Sequence, residues 1–259
     1  MWLVGGRAAW ELPAAMTAEP KYRRLAVIGH GGMADVHLAI AQGAGDFKKL
    51  VVLKELRPGF AGRAEHLAMF LQEARIAARM AHENVVTTYE IGDVDGRPFI
   101  AMEFLDGQPL HRVLRRLHED GGLPLHEHLG VLVQVLAGLQ HAHELCDYDG
   151  RPLGLVHRDA TPHNVVVTYE GRAKLVDFGI TRGVDGEADT AVGTFKGKAS
   201  YAAPEQARGA AIDRRTDIFA VGVMLWEALA NRRMWADLSE VAIIARLRGA
   251  EVPALPETV

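Results

Sequence analysis

A single cysteine, Cys146, stands among the 259 residues, so no disulfide framework can form within the chain, and this fits a reducing, cytoplasmic setting. Long apolar runs are also missing. No uncharged stretch of about 18 residues occurs, which argues against a membrane-spanning helix. Neither sign of charge dominates. The 29 lysines and arginines against 33 aspartates and glutamates leave −4 with the 12 histidines neutral, so broad electrostatic binding of nucleic acid is not expected. No internal repeat or low-complexity tract is found. What remains is 49% hydrophobic and 24% charged, the profile of an ordinary globular chain rather than a disordered, collagenous or coiled-coil one. The first residues resemble a secretion signal only superficially, because Gly5, Gly6, Arg7 and Glu11 break the apolar stretch. Met16 offers a second start, and residues 1–20 are expected to be a disordered extension.

Along the chain, residues 25–28, 36–41 and 50–56 read as strands, the last with Lys54 embedded in it. Over residues 64–82 the period becomes helical, with Leu67, Phe70, Leu71, Ala74, Ala77, Ala78 and Ala81 on one stripe. Two further strands, 85–91 and 98–104, flank a hairpin signal at residues 93–96. Past Asp106-Gly107 the pattern turns helical, at 110–119 and 125–145. Short strands at 165–168 and 173–176 follow. Thr216 is the expected N-cap of an apolar helix over 217–230, and a last helix is expected over 239–248. These elements predict an α+β fold in two lobes. Residues 21–105 form a five-stranded sheet with one helix, and residues 106–259 form a mainly helical lobe.

Chemistry-bearing residues are spread across both lobes. The segment from Ile28 to Val36 contains Gly29, Gly31 and Gly32, and glycines let backbone N–H groups approach phosphate oxygens. Taken alone it is equally a hairpin turn. Glu73 follows Lys54 by nineteen residues, and a carboxylate there can fix the ammonium. Asp159 can accept a proton from a hydroxyl. Asn164 and Asp177 offer hard oxygen ligands suited to Mg²⁺. Phe178 and Gly179 follow Asp177, and Ala203-Pro204-Glu205 lies further on. The paired histidines His126/His128 and His141/His143 are spaced by two, so each pair points to different helix faces and is not read as a metal site.

Together these motifs resemble the eukaryotic-like (Hanks-type) protein kinases, specifically the bacterial serine/threonine branch, from about Tyr22 onward. The resemblance implies an ATP- and Mg²⁺-dependent transfer of phosphate to serine or threonine hydroxyls of protein substrates, with self-association through autophosphorylation as a further expectation. It assigns Gly29, Gly31 and Gly32 to the nucleotide phosphates, Ile28 to the nucleotide site, and Val36, Val52 and Val166 to the adenine pocket. Met102 is the expected gatekeeper, and Glu103 and Leu105 the backbone partners of adenine. Lys54, paired with Glu73, contacts phosphate; Asp159 is the base; Asn164 and Asp177 hold the metal. Arg158 is expected to meet a phosphate on the 177–205 loop, for which Thr190 and Thr194 are the candidate acceptors.

Three positions depart from the family pattern. Val52 stands where alanine is usual. Thr161 stands where lysine is usual and Lys198 where threonine is usual, so the two are expected to have exchanged roles, with Lys198 delivering the ammonium and Thr161 the hydroxyl. The C-lobe also looks incomplete at its end, which leaves Glu205 without its usual arginine. The alternative function is a pseudokinase, a nucleotide-binding scaffold without turnover. A related small-molecule phosphotransferase is a third reading.

Overall fold

A computed structural model describes residues 21–256, apart from residues 62, 95, 119–120 and 179–198. The first five strands form one antiparallel sheet. They are β1 (Tyr22–His30), β2 (Ala34–Gln42), β3 (Lys48–Leu56), β4 (Thr88–Val94) and β5 (Arg97–Glu103), in the order β1-β2-β3-β5-β4. The β4–β5 turn uses Gly96 at φ +73°, a left-handed conformation that glycine adopts without penalty, and its N–H is taken by Asp93 Oδ1 at 2.8 Å. Strand β4 begins three residues later than residues 85–91 suggest. Val85 and Val86 instead pair with Leu175 of the other lobe, Val86 N–H donating to its carbonyl at 2.9 Å.

Between β3 and β4 lie a one-turn helix α1 (Pro58–Ala61) and the longer α2 (Ala64–Ala77). Helix α1 was not foreseen, since four residues carry no period. Helix α2 presents Phe70 and Ala74 to the sheet, where they are wholly buried with Leu56 and Ile100. Burying one such large side chain stabilises the fold by roughly 1.5–3 kcal/mol. The same face carries Glu73, buried beside this core. The N-lobe core thereby sets where a carboxylate meets Lys54 of β3.

The second lobe opens with the short strand β6 (Gly107–Pro109), also unforeseen, which joins β7 (Val165–Thr168) and β8 (Ala173–Leu175) in a small antiparallel sheet. A Cβ on Gly107 would sit 2.2 Å from the Val167 carbonyl oxygen, so only glycine permits this pairing. The helices are α3 (Leu110–His118), α4 (Leu125–His143), α5 (Pro204–Arg208), α6 (Arg215–Ala230) and α7 (Glu240–Arg248). Helix α6 is buried on several sides, through Ala220, Val221, Val223, Met224 and Trp226, and packs on α4. It ends at Asn231 in the left-handed conformation.

Two local expectations are corrected. Thr216 lies inside α6, which begins at Arg215 with Arg214 at the N-cap, so it does not cap the helix. Its hydroxyl donates instead to Glu205 Oε1 at 2.6 Å, which gives that carboxylate a partner the sequence had not suggested. Ser239, by contrast, caps α7, accepting the Ala242 N–H at 3.3 Å.

Candidate active site

Lys54, Glu73 and Asp177 come together where the two lobes meet. Lys54 Nζ donates to Glu73 Oε1 at 2.7 Å and to Asp177 Oδ1 at 2.8 Å. β3, α2 and the segment after β8 thus converge on one ammonium. Burial works against that charge, but the Asp177 and Glu73 carboxylates outweigh it and hold the Lys54 pKa above its usual value. Burial pushes the Glu73 carboxyl up, and Lys54 only partly draws it back. Lys54 is a charged pivot rather than the solvated surface lysine that its strand position alone would suggest.

Asp159 is buried, and its backbone is tightly constrained. Arg158 has φ +65°, a left-handed conformation costly for a residue with a β-carbon. The strain is held by hydrogen bonds on both sides. The Arg158 N–H donates to Asp217 Oδ1 and the His157 N–H to Asp217 Oδ2, each at 2.8 Å. Gln206 Nε2 donates to the Arg158 carbonyl at 3.0 Å, and His143 Nε2 donates to Asp217 Oδ2 at 2.7 Å. Asp217, only 1% exposed, is the anchor of this loop. The sequence places Asp217 only at the start of an apolar helix, with no role marked for it. The available signal was an acid in the first turn of an otherwise apolar helix.

Asn164 Nδ2 donates to the Asp159 carbonyl at 2.9 Å, which leaves the amide oxygen to serve another group. Asp177 also adopts a positive φ, +55°, and is exposed. One amide oxygen and one carboxylate are hard donors that suit Mg²⁺, an ion that draws its remaining ligands from water and phosphate. The residues present fit that ion.

A small cavity of about 20 Å³ is lined by Arg158, Asp159, Thr161, Tyr201, Gln206 and Asp217, among others. Thr161 is buried, and its Oγ1 has no hydrogen-bond partner among the described residues. Lys198, its expected counterpart, lies outside the described residues, as do Thr190 and Thr194.

Of the expected nucleotide residues, Val36 and Val52 lie on strands beside or including Lys54. Gly31 N–H donates to the Ala34 carbonyl at 2.8 Å in the β1–β2 turn, which also holds Gly32, while Gly29 lies on β1 opposite Val36. Val36 stands opposite Lys54 in the β2–β3 ladder, and Val52 opposite Met102 in the β3–β5 ladder. Ile28 is half exposed at the end of β1. Leu105 lies two residues past the end of β5, and Val166 lies on β7. The Glu103 side chain is engaged by Lys174 at 2.6 Å and by the Thr87 N–H at 2.7 Å. Its own N–H donates to the Thr87 carbonyl at 2.9 Å.

Comparison with known proteins gives a consistent result. Residues 22–252 match the family described as protein kinase domain. The chain is 40% identical over 238 residues to the tyrosine-protein kinase MasK of Myxococcus xanthus, covering 89% of this chain and 37% of that protein. It is 33% identical over 234 residues to the serine/threonine-protein kinase PrkC of Bacillus subtilis, covering 90% of this chain and 34% of that protein. The crystal structure of the Mycobacterium tuberculosis PknI kinase domain superposes with a TM-score of 0.59 at 30% identity, covering 83% of this chain and 76% of that one. The chain therefore spans little more than a third of the length of these two curated relatives.

Proposed function

Because the chain belongs to the protein kinase family, we propose that it transfers the γ-phosphate of ATP to serine or threonine hydroxyls of proteins, with Asp159 as the base. The observation that carries this reading is the triad of Lys54, Glu73 and Asp177, assembled from both lobes at 2.7 and 2.8 Å.

In this reading the β1–β2 turn covers the phosphates with its backbone N–H groups, and Lys54 holds them in register. Val36, Val52 and Val166 sandwich the adenine, while Glu103 and Leu105 offer backbone groups to its edge. Asn164 and Asp177 hold Mg²⁺, which when bound neutralises charge on the phosphate oxygens. Asp159 accepts the proton of the attacking hydroxyl. Its buried, hydrogen-bonded backbone keeps the carboxylate in place without reorganisation during transfer. Lys198 supplies a cation at the transferring phosphate and Thr161 a hydroxyl. Thr161 Oγ1, which has no partner among the described residues and lines the same small cavity as Asp159, supports that role. The setting is the cytoplasm.

The relative named as a tyrosine kinase motivates a second reading, in which tyrosine is the acceptor. Incubating the chain with γ-labelled ATP, Mg²⁺ and a mixed protein acceptor, followed by phosphoamino-acid analysis, separates them. Phosphoserine and phosphothreonine are expected. Phosphotyrosine alone would move the acceptor class, and an absence of label would refute the enzymatic reading.

A further inference from the structure

Helix α3 carries an unusual local charge. Its nine residues include Arg112, Arg115 and Arg116, all exposed, and no acid. Among the described residues, neither Arg112 nor Arg115 has an ion-pair or hydrogen-bond partner, whereas Arg116 is engaged. Two local effects oppose this arrangement. Arg112 sits in the first turn, where the helix dipole disfavours a cation. Arg112 and Arg115 are three apart and Arg112 and Arg116 four apart, so like charges face each other along the helix. Glu119 and Asp120 follow the helix in sequence and lie outside the described residues.

The position of the strip points to its use. The His111 N–H donates to the Pro162 carbonyl at 2.9 Å. The His111 ring stacks on His163, with centroids 4.1 Å apart and planes 19° off parallel. Pro162 and His163 belong to the loop that begins with Asp159 and ends with Asn164. The first turn of α3 is therefore fastened to the catalytic loop, and Arg112 is one residue from the fastening. Burial, the neighbouring His163, and the Arg112 and Arg115 charges together hold the His111 pKa below its usual value, so the field of the strip is felt at this junction.

The chain also contains a segment complementary to this strip. Asp185, Glu187 and Asp189 precede Thr190 at every second position. Bound in extended form, such a segment presents all three carboxylates on one face, roughly 7 Å apart. Arginines three apart on a helix have β-carbons about 5–6 Å apart, and each guanidinium can grip a carboxylate with two N–H groups. A strip of two free cations suits one short acidic peptide. It does not suit a long polyanion, which the net charge of −4 repels.

We propose that Arg112 and Arg115 dock acidic residues flanking the phosphoacceptor, and that their occupant is the 185–190 segment of a second copy of the chain, which brings Thr190 to Asp159. The proposal rests on the protein kinase reading for the transfer itself, but its docking step can be tested without transfer. The probe is a fluorescent peptide of residues 184–194 with Thr194→Val. Its neutral counterpart carries Asp185→Asn, Glu187→Gln and Asp189→Asn. Both are titrated onto the full chain carrying Asp159→Asn, at low salt.

The acidic peptide is expected to bind about tenfold tighter, the size that two or three exposed charge pairs supply together. That gap should shrink with added salt, and it should fall to within about twofold when Arg112→Glu and Arg115→Glu are added. The pair Arg112→Gln and Arg115→Gln removes the charge without adding repulsion, and should also close the gap if the reversal unsettles α3. Equal affinities for the two peptides, or a gap that survives both double variants, would overturn the proposal. So would anionic phospholipid vesicles whose binding is lost in the double variants while the peptide gap remains. Phosphorylation of the neutral peptide by the unmodified chain reports separately on the kinase reading.

Discussion

Replacing Asp217 by asparagine keeps the shape of the side chain and removes its charge and half of its accepting capacity. In the structure Oδ1 accepts the Arg158 N–H, while Oδ2 accepts both the His157 N–H and His143 Nε2. An asparagine can place its oxygen on only one side. The less damaging choice keeps the oxygen toward His157 and His143 and turns the amide toward the Arg158 N–H, setting donor against donor. Leaving one buried donor unsatisfied costs about 1–3 kcal/mol, and the surviving bonds lose their charge assistance. Arg158 then loses the bond on its amide side that holds its left-handed backbone, a conformation worth about 1–3 kcal/mol of strain. The sum is roughly 2–4 kcal/mol if the loop holds and less if it relaxes, but a relaxed loop misplaces Asp159. Thermal unfolding should therefore drop by about 5–12 °C, and kcat on any accepted peptide should fall by about 10² or more. A shift under about 1 °C together with unchanged kcat would refute the anchoring role of Asp217.

Two further outcomes follow from the same geometry. Lys54→Met removes the cation between Glu73 and Asp177 and should lower kcat by about 10²–10³, measured as initial rate at saturating ATP; a rate within about threefold of the unmodified chain would contradict it. Burial holds the buried His128 imidazole below its usual pKa, and its Nε2 has no partner among the described residues. A base whose folded pKa is depressed binds fewer protons folded than unfolded. Its stabilising effect is complete above its unfolded pKa of about 6.5 and is lost as the pH falls below that. Melting temperature should fall between about pH 7.5 and about pH 5.5, and His128→Gln should flatten part of that slope. Identical slopes would contradict the assignment, although His141 and His157, depressed in the same direction, retain their own share.

The elements with a long period or strong alternation were legible: α2, α4, α6, and the β2, β3 and β5 strands fall close to where the apolar spacing puts them. Helices α1 and α5, at four and five residues, are too short to show a period, and β6 exists only because Gly107 lets the Val167 backbone close in. Val85 was misread as strand β4 because an apolar pair looks the same whether it faces a sheet or Leu175 of the other lobe. The site divides in the same way. Lys54, Glu73, Asp159, Asn164 and Asp177 are singled out by motifs that resemble a kinase, and the structure brings Lys54, Glu73 and Asp177 into contact. Asp217 and His143 were missed because their task is to hold backbone N–H groups and a histidine in place. That work is set by tertiary approach across 60 and 74 residues and leaves no local pattern. Thr216 was assigned to a cap by its position, while its hydroxyl was already engaged by Glu205.

The central claim is that Asp159 drives phosphate transfer from a site preorganised by Lys54 and Asp217. The most direct test is single-turnover transfer from labelled ATP with the unmodified chain and with Asp159→Asn, alongside ATP affinity for both. Loss of the base should slow transfer by about 10²–10⁴ and leave nucleotide affinity within a few-fold. Transfer by Asp159→Asn at the rate of the unmodified chain would contradict the account.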